Sequence, residues 1–264
     1  MDLSEILDKT KKVAIEAGAF IRKESQFFDL KRLEYKGLND LVSYVDKEAE
    51  KMIVENLSKI LPEAGFITEE GTDSTVGLDY TWIIDPLDGT TNFIHGFPLF
   101  CVSIGLQKGD EIVLGVVYEI NFHECFYALK GQGAFCNDTP IKVSSAPDLA
   151  SSLIATGFPY SAFDQIDWYL GVLKSLMKQT HGLRRLGSAA IDLCYVACGR
   201  ADGYFEYNLN SYDVAAGALI VQEAGGTVTD FSKGKNYIYG REIIASNGHI
   251  HEQLWNEFPT AEKG

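Results

Sequence analysis

Apolar positions define the first element. Leu3, Ile6, Leu7, Thr10, Val13, Ala14, Ala17 and Ile21 recur at steps of three and four residues, which is the spacing of one helix face. A second amphipathic helix is predicted over residues 46–60. It carries Ala49, Met52, Ile53, Asn56, Leu57 and Ile60 on one face, and Pro62 closes it. Short β-rich runs follow at 65–68, 81–84, 100–107, 112–119 and 124–129. Turn signals separate them at Lys108-Gly109-Asp110, at Asn121 and at Gly131-Gln132-Gly133. The pattern predicts an antiparallel sheet that carries both long helices. Beyond residue 145 strand-like and helix-like runs alternate, with strands at 152–156, 203–207, 226–229 and 242–245. The helices between and after them are expected at 165–177, 189–197, 214–223 and 249–257. Such alternation predicts a second set of α/β layers. The expected division is an N-terminal α+β half, 1–145, and a C-terminal α/β half, 146–264, with no Gly/Ser linker between them.

Charge adds what the pattern cannot. The 264 residues carry 37 Asp and Glu against 23 Lys and Arg, a formal net charge of -14. A protein that grips nucleic acid through its phosphates, or an anionic membrane, needs the opposite balance. No apolar run is long enough for a membrane span, and the stretch from Met1 to Lys12 has no signal-like apolar core, so a cytoplasmic protein is expected. The five cysteines form no close CxxC pair, which argues against a disulfide framework or a zinc site. His249 and His251, beside the closing helix, read as surface residues. An acidic protein that binds a phosphate must draw positive charge from elsewhere, and a metal ion is the usual source.

Candidate chemistry concentrates in Trp82-Ile83-Ile84-Asp85-Pro86-Leu87-Asp88-Gly89-Thr90-Thr91-Asn92-Phe93. An apolar strand is expected to end there in two carboxylates three residues apart. Pro86 disfavours helix at Asp85, Gly89 permits a tight turn, and Thr90 is a good helix N-cap. Two hard oxygen ligands beside free backbone N–H groups suit metal-assisted phosphoryl chemistry. The same composition is equally that of a plain structural turn. Further acids stand at Thr68-Glu69-Glu70-Gly71 and Ser211-Tyr212-Asp213, and Asp213 alone also reads as a helix-dipole cap.

The run Asp85 to Phe93 resembles the first signature of the inositol monophosphatase family. Tyr212-Asp213-Val214-Ala215-Ala216-Gly217, with Glu223-Ala224-Gly225-Gly226 after it, resembles the second. Glu69-Glu70, the segment from Lys36 to Asp46, Gly187-Ser188-Ala189-Ala190 and Ala201-Asp202-Gly203-Tyr204-Phe205-Glu206 match in order and spacing. The resemblance covers nearly the whole chain. It implies a layered α/β/α/β/α sandwich with the site between the halves. It also implies two to three Mg²⁺ ions held by Glu69, Asp85, the Leu87 carbonyl, Asp88 and Asp213. Asp46 and Thr90, with Glu69, would position or deprotonate the attacking water. The amides of Gly89 and Thr90 would hold phosphate, and Asp88, Ala189, Glu206 and Asp213 would face a polyol substrate. Lys36 and Glu70 are further candidates. Asp46 also reads as a helix cap, Lys36 and Glu70 as exposed charges and Glu206 as a strand-end charge. Arg184 and Arg185 read equally as site or interface partners and as surface ion pairs.

The implied activity is hydrolysis of myo-inositol 1-phosphate, sensitive to lithium, in a homodimer. Fructose 1,6-bisphosphate, histidinol phosphate and a 3'-phosphoadenosine nucleotide are alternative substrates. A regulatory role bound to the transcription machinery is the alternative from another class. An exposed basic or apolar patch apart from the cleft would favour it. The second signature usually has a tryptophan where Tyr212 stands here, on a loop expected to border the substrate.

Overall fold

The computed structural model describes residues 2–27, 33–37, 40–73, 79–159 and 163–258, and of 33–37 and 40–43 the backbone only. Helix α1 (Leu3–Ser25) starts at Asp2, whose carboxylate accepts the Ser4 N–H at 2.9 Å. It buries the predicted stripe from Ile6 to Ile21. Strands β1 (Leu33–Gly37) and β2 (Asp40–Ser43) form an antiparallel pair before α2 (Tyr44–Ile60).

Seven strands make the first sheet, in sequence order. These are β3 (Gly65–Thr68), β4 (Tyr80–Asp88), β5 (Cys101–Lys108), β6 (Glu111–Glu119), β7 (Glu124–Leu129), β8 (Ala134–Cys136) and β9 (Thr139–Ile141). The short helix α3 (Thr90–Ile94) interrupts the run after β4. The sheet is mixed rather than purely antiparallel as the sequence predicts, because β3 runs parallel to β4. The second half adds β10 (Leu153–Thr156), α4 (Ile166–Gln179), β11 (Gly182–Arg184), α5 (Ala189–Ala197), β12 (Gly203–Tyr207), α6 (Ser211–Glu223), β13 (Thr227–Thr229), β14 (Glu242–Ser246) and α7 (His251–Trp255). Its sheet is also mixed, in the order β11-β10-β12-β14-β13.

Alternate strand residues point to opposite faces, and this sorts the core into three layers. Trp82, Ile84, Val116 and Tyr118 pack under α1 and α2. Val117, Phe126, Tyr204, Ile243 and Ala245 pack with α5 and α6 between the two sheets. Phe205 and Ile244, one residue out of phase, pack with α4 and α7 on the outer face. The result is an α/β/α/β/α sandwich. Helix α6 is buried from Val214 to Val221, as expected of a helix enclosed on all sides. Gly105 and Gly115 stand opposite each other on β5 and β6. A Cβ on Gly115 would lie 2.7 Å from the Ala216 carbonyl oxygen, so only glycine lets α6 rest on the sheet here.

The sequence reading misses β1, β2, β8, β9 and β11, which are too short to show a period, and of α3 it has only a cap, placed at Thr90. His251 is buried, not on the surface. Its Nδ1 lies 2.9 Å from Ser246 Oγ and its Nε2 3.1 Å from Thr229 Oγ1. Among the described residues no helix is long and apolar enough to cross a membrane.

Candidate active site

Strand β4 does not end at Asp85. Asp85 stands opposite Ser103, and Asp88 stands opposite Cys101. Three steps on β4 therefore match two on β5, which is a β-bulge. Residues three apart on a regular strand face opposite ways. The extra residue restores Asp85 and Asp88 to a common side. Pro86 has no N–H to give a ladder, so a bulge is where it fits. The Leu87 N–H turns back to Asp85 Oδ1 at 2.9 Å. Asp88 Oδ2 accepts Ser188 Oγ–H and the Ala190 N–H, each at 2.7 Å, so the start of α5 holds it from across the molecule.

Two further acids reach the same place. The Glu69 N–H donates to the Ile84 carbonyl at 3.3 Å, which sets Glu69 beside the end of β4. Asp213, in the first turn of α6, is carried in over Gly105 and Gly115. Its Oδ2 accepts the Asn210 N–H at 2.6 Å, so Asp213 does serve as a helix cap. Burial raises the Asp85 carboxyl well above the usual range, and the charges of Glu69, Asp88 and Asp213 raise it further. Asp213 is raised well above its usual range by burial and by Asp88, and its bond from Asn210 only partly offsets this. Asp88 is also raised by burial, against the donors at Ser188, Ala190 and Ala189 and the charge of Arg185. The donor set is all oxygen and strongly over-negative, which fits a hard divalent cation. Among the described residues no three His, Cys, Asp or Glu side chains are drawn together as a closed ligand set.

Thr90 is the first residue of α3, and Gly89, at φ 95°, takes the cap position that the sequence assigns to Thr90. A Cβ at Gly89 would also meet the Leu99 carbonyl oxygen at 3.0 Å. Thr90 Oγ1 lies 3.1 Å from Asp46 Oδ1 and 3.0 Å from the Leu87 carbonyl oxygen. Asp46 is buried in the first turn of α2, turned towards Thr90.

On the other wall, Glu206 is buried on β12 and its Oε2 accepts the Tyr204 hydroxyl at 2.6 Å. Its carboxylate lies over Gly157, where a Cβ would overlap it. Burial raises the Glu206 carboxyl to about 7, against the Tyr204 bond and the Arg185 charge. Ala189 is buried at the start of α5. Arg185 lowers the carboxyls of Asp88, Glu206 and Asp192, so its charge belongs to the cleft. The Arg184 guanidinium donates to the Leu183 carbonyl instead. Glu70 is partly exposed, and its N–H donates to Glu50. Lys36 lies on β1, and its side chain falls outside the described residues.

Sequence reasoning misses three supports. Glu50, fully buried, accepts the N–H groups of Glu70 and Thr72 at 2.7 and 2.8 Å and so fixes the acidic loop. Its signal was a second acid four residues after Asp46, on the apolar face of α2. Asn92 Nδ2 donates to the carbonyls of Leu99 and Leu186 at 2.6 and 2.8 Å, holding the loop before α5 against the segment between α3 and β5. Ser188, the N-cap of α5, turns its hydroxyl to Asp88.

The model of the inositol monophosphatase family matches residues 2–263 of this chain. The Nus factor SuhB of Escherichia coli strain K12 is 42% identical over 250 residues, 93% of this chain and 92% of that protein. The crystal structure of the extragenic suppressor protein suhB from Bartonella henselae superposes with a TM-score of 0.92 at 40% identity, covering 97% of this chain and 99% of the other. The inositol monophosphatase from Anabaena superposes with a TM-score of 0.87 at 37% identity, covering 97% and 96%.

Proposed function

The chain belongs to the inositol monophosphatase family, and from that premise we propose a Mg²⁺-dependent phosphomonoesterase that hydrolyses myo-inositol 1-phosphate to inositol and phosphate. The observation that carries this reading is the burial of Asp85 among the charges of Glu69, Asp88 and Asp213. Carboxylates so arranged attract divalent cations, and the dianion of a phosphate ester needs the same cations. In this reading Glu69, Asp85, Asp88, Asp213 and the Leu87 carbonyl hold two to three ions. Bound Mg²⁺ would supply Lewis acidity to the phosphate and lower the pKa of the attacking water.

The chain's own groups supply position and proton transfer. Thr90 Oγ1 takes a proton from the attacking water as it passes its own to Asp46 Oδ1, a path that its 3.1 Å bond prepares. Glu69 orients the same water. The amides of Gly89 and Thr90 donate to phosphate oxygens. Glu206 accepts from two vicinal hydroxyls of the polyol, Ala189 gives the wall beside it, and Asp88 and Asp213 complete the rim. Glu70 takes a secondary place beside Glu69, and Lys36 is a further candidate. The halves 1–145 and 146–264 meet at the cleft, and the enzyme works in the cytoplasm. Phe163, Leu170 and Met177, at steps of seven along the outer side of α4 and its lead-in, are exposed and support a homodimer.

A panel of phosphomonoesters, with Mg²⁺ present or chelated, tests the reading. It should include fructose 1,6-bisphosphate, histidinol phosphate and a 3'-phosphoadenosine nucleotide. Metal-dependent release should be greatest from myo-inositol 1-phosphate, and lithium should inhibit it. No release from any ester, or release indifferent to chelation, would overturn the phosphatase reading. The name of the Escherichia coli relative favours a second, compatible reading, a binding role in transcription. Retention of RNA polymerase on the immobilised protein would support it, and no retention would oppose it.

A further inference from the structure

We propose that the groove between the last turns of α1 and the β6–β7 turn is a second binding site, for an oxyanion: inorganic phosphate or a small phosphomonoester. It has a volume of about 250 Å³ and is lined by Arg22, Lys23, Gln26, Tyr118 and His123, with apolar residues of α1 and Ile120, just past β6, behind them. It shares no residue with the catalytic cleft. In a chain of net charge -14, its lining holds two cations, an imidazole and no carboxylate. Among the described residues neither Arg22 nor Lys23 has a carboxylate partner.

The donors are aligned by a short chain of bonds. Arg22 Nη1 meets His123 Nε2, and His123 Nδ1 lies 3.0 Å from the Tyr118 hydroxyl. A guanidinium cannot accept, so Nε2 accepts and the imidazole proton sits on Nδ1. Nδ1–H then donates to the Tyr118 oxygen and leaves the tyrosine's own proton free to donate into the groove. Arg22, Lys23 and Tyr118 thus all offer donors, which is the complement of an oxyanion. The turn that carries His123 is built to hold it there. His123 sits at φ 57°, an unfavourable region for a non-glycine residue. Buried Glu119 accepts the Asn121 N–H at 3.1 Å and also the Phe122 N–H, while Asn137 Nδ2 donates to the His123 carbonyl at 3.0 Å. Gly18 lets the Tyr118 ring lie against α1, since a Cβ there would come within 2.5 Å of it.

The test uses the full chain in EDTA, so that neither turnover nor metal occupancy enters it. The ring resonances of His123, assigned with His123→Asn, are followed by NMR while inorganic phosphate is added at constant ionic strength. A saturable shift with half-saturation at or below about 1 mM is expected. Arg22→Gln and Lys23→Gln should each weaken it tenfold or more at unchanged melting temperature. Glycerol 2-phosphate in a parallel titration distinguishes a free-phosphate site, which it leaves empty, from a monoester site, which it fills. No shift, an equal shift with chloride, or an undiminished shift in either variant would overturn the site.

Discussion

Thr90 donates its hydroxyl to Asp46 Oδ1 at 3.1 Å, linking the first turn of α3 to the first turn of α2. The same hydroxyl lies 3.0 Å from the Leu87 carbonyl oxygen. It has one proton, so the two acceptors compete for it. A cation on the Leu87 carbonyl would settle the competition in favour of Asp46. Metal binding and alignment of the proposed proton path would then be one event.

Thr90→Val removes the hydroxyl and keeps the shape. It should lower kcat by about 10²–10⁴-fold, the usual worth of a positioned proton acceptor. Asp46→Asn should cost a similar factor. Residues that act as a unit are not additive, so the double variant should lose little more than either single one. Steady-state kinetics at saturating Mg²⁺ decide this, and a fully additive loss would separate the two residues.

Asp85 makes the second prediction. Its carboxyl is buried and faces three other acids, so it opposes folding when no cation is present. Asp85→Asn should therefore melt higher than the wild type in EDTA. It should also lose most of the rise in melting temperature that Mg²⁺ gives the wild type, because a ligand of the native state stabilises only as far as it binds. Calorimetry in EDTA and in Mg²⁺ reads both arms. A lower melting point in EDTA would mean that Asp85 stabilises the fold by itself.

The layers were legible because long periodic runs leave a pattern: α1 buries its predicted stripe from Ile6 to Ile21, while α2 buries Ala49, Ile53 and Leu57 of its predicted face but turns further, to Glu50 and Val54. The carboxylates were legible because Asp85, Asp88 and Asp213 sit in compact motifs. What was not legible was how Asp85 and Asp88 come to face one way. That depends on a bulge, and a bulge is defined by the partner strand, not by β4 alone. Glu50 and Ser188 were missed for the same reason, since each acts on a residue distant in sequence. Asp213 shows the reverse: the modest reading of it as a cap is correct, and the cap leaves its charge among the other acids.

Gly115 joins packing to the site. A Cβ there would lie 2.7 Å from the Ala216 carbonyl oxygen, and backbone cannot give way as a side chain can. Gly115→Ala should destabilise by about 1–3 kcal/mol, the usual cost of overpacking. It should also lift the start of α6, and Asp213 with it, and so raise the Mg²⁺ concentration needed for half-maximal activity. Denaturant melts and a Mg²⁺ titration of the rate measure the two effects. A loss of stability with an unchanged Mg²⁺ requirement would show that α6 can shift without moving Asp213.

His251 predicts a pH dependence that has nothing to do with catalysis. It is buried between Ser246 and Thr229, and burial lowers its pKa below the ordinary histidine value. The Glu252 charge raises it and Lys233 lowers it, neither as strongly as burial. The native state thus favours neutral imidazole, while the unfolded chain takes up a proton near pH 6.5, about the free value. Protons bind more to the unfolded state in that window, so stability falls as pH falls. The contribution is intact above about pH 6.5 and is lost as pH drops through the folded value. Unfolding free energies between about pH 7 and pH 5 should fall more steeply for the wild type than for His251→Gln, which cannot titrate there. Parallel slopes would mean that the imidazole takes up its proton inside the fold as readily as in the unfolded chain, with Ser246 and Thr229 turned to accept.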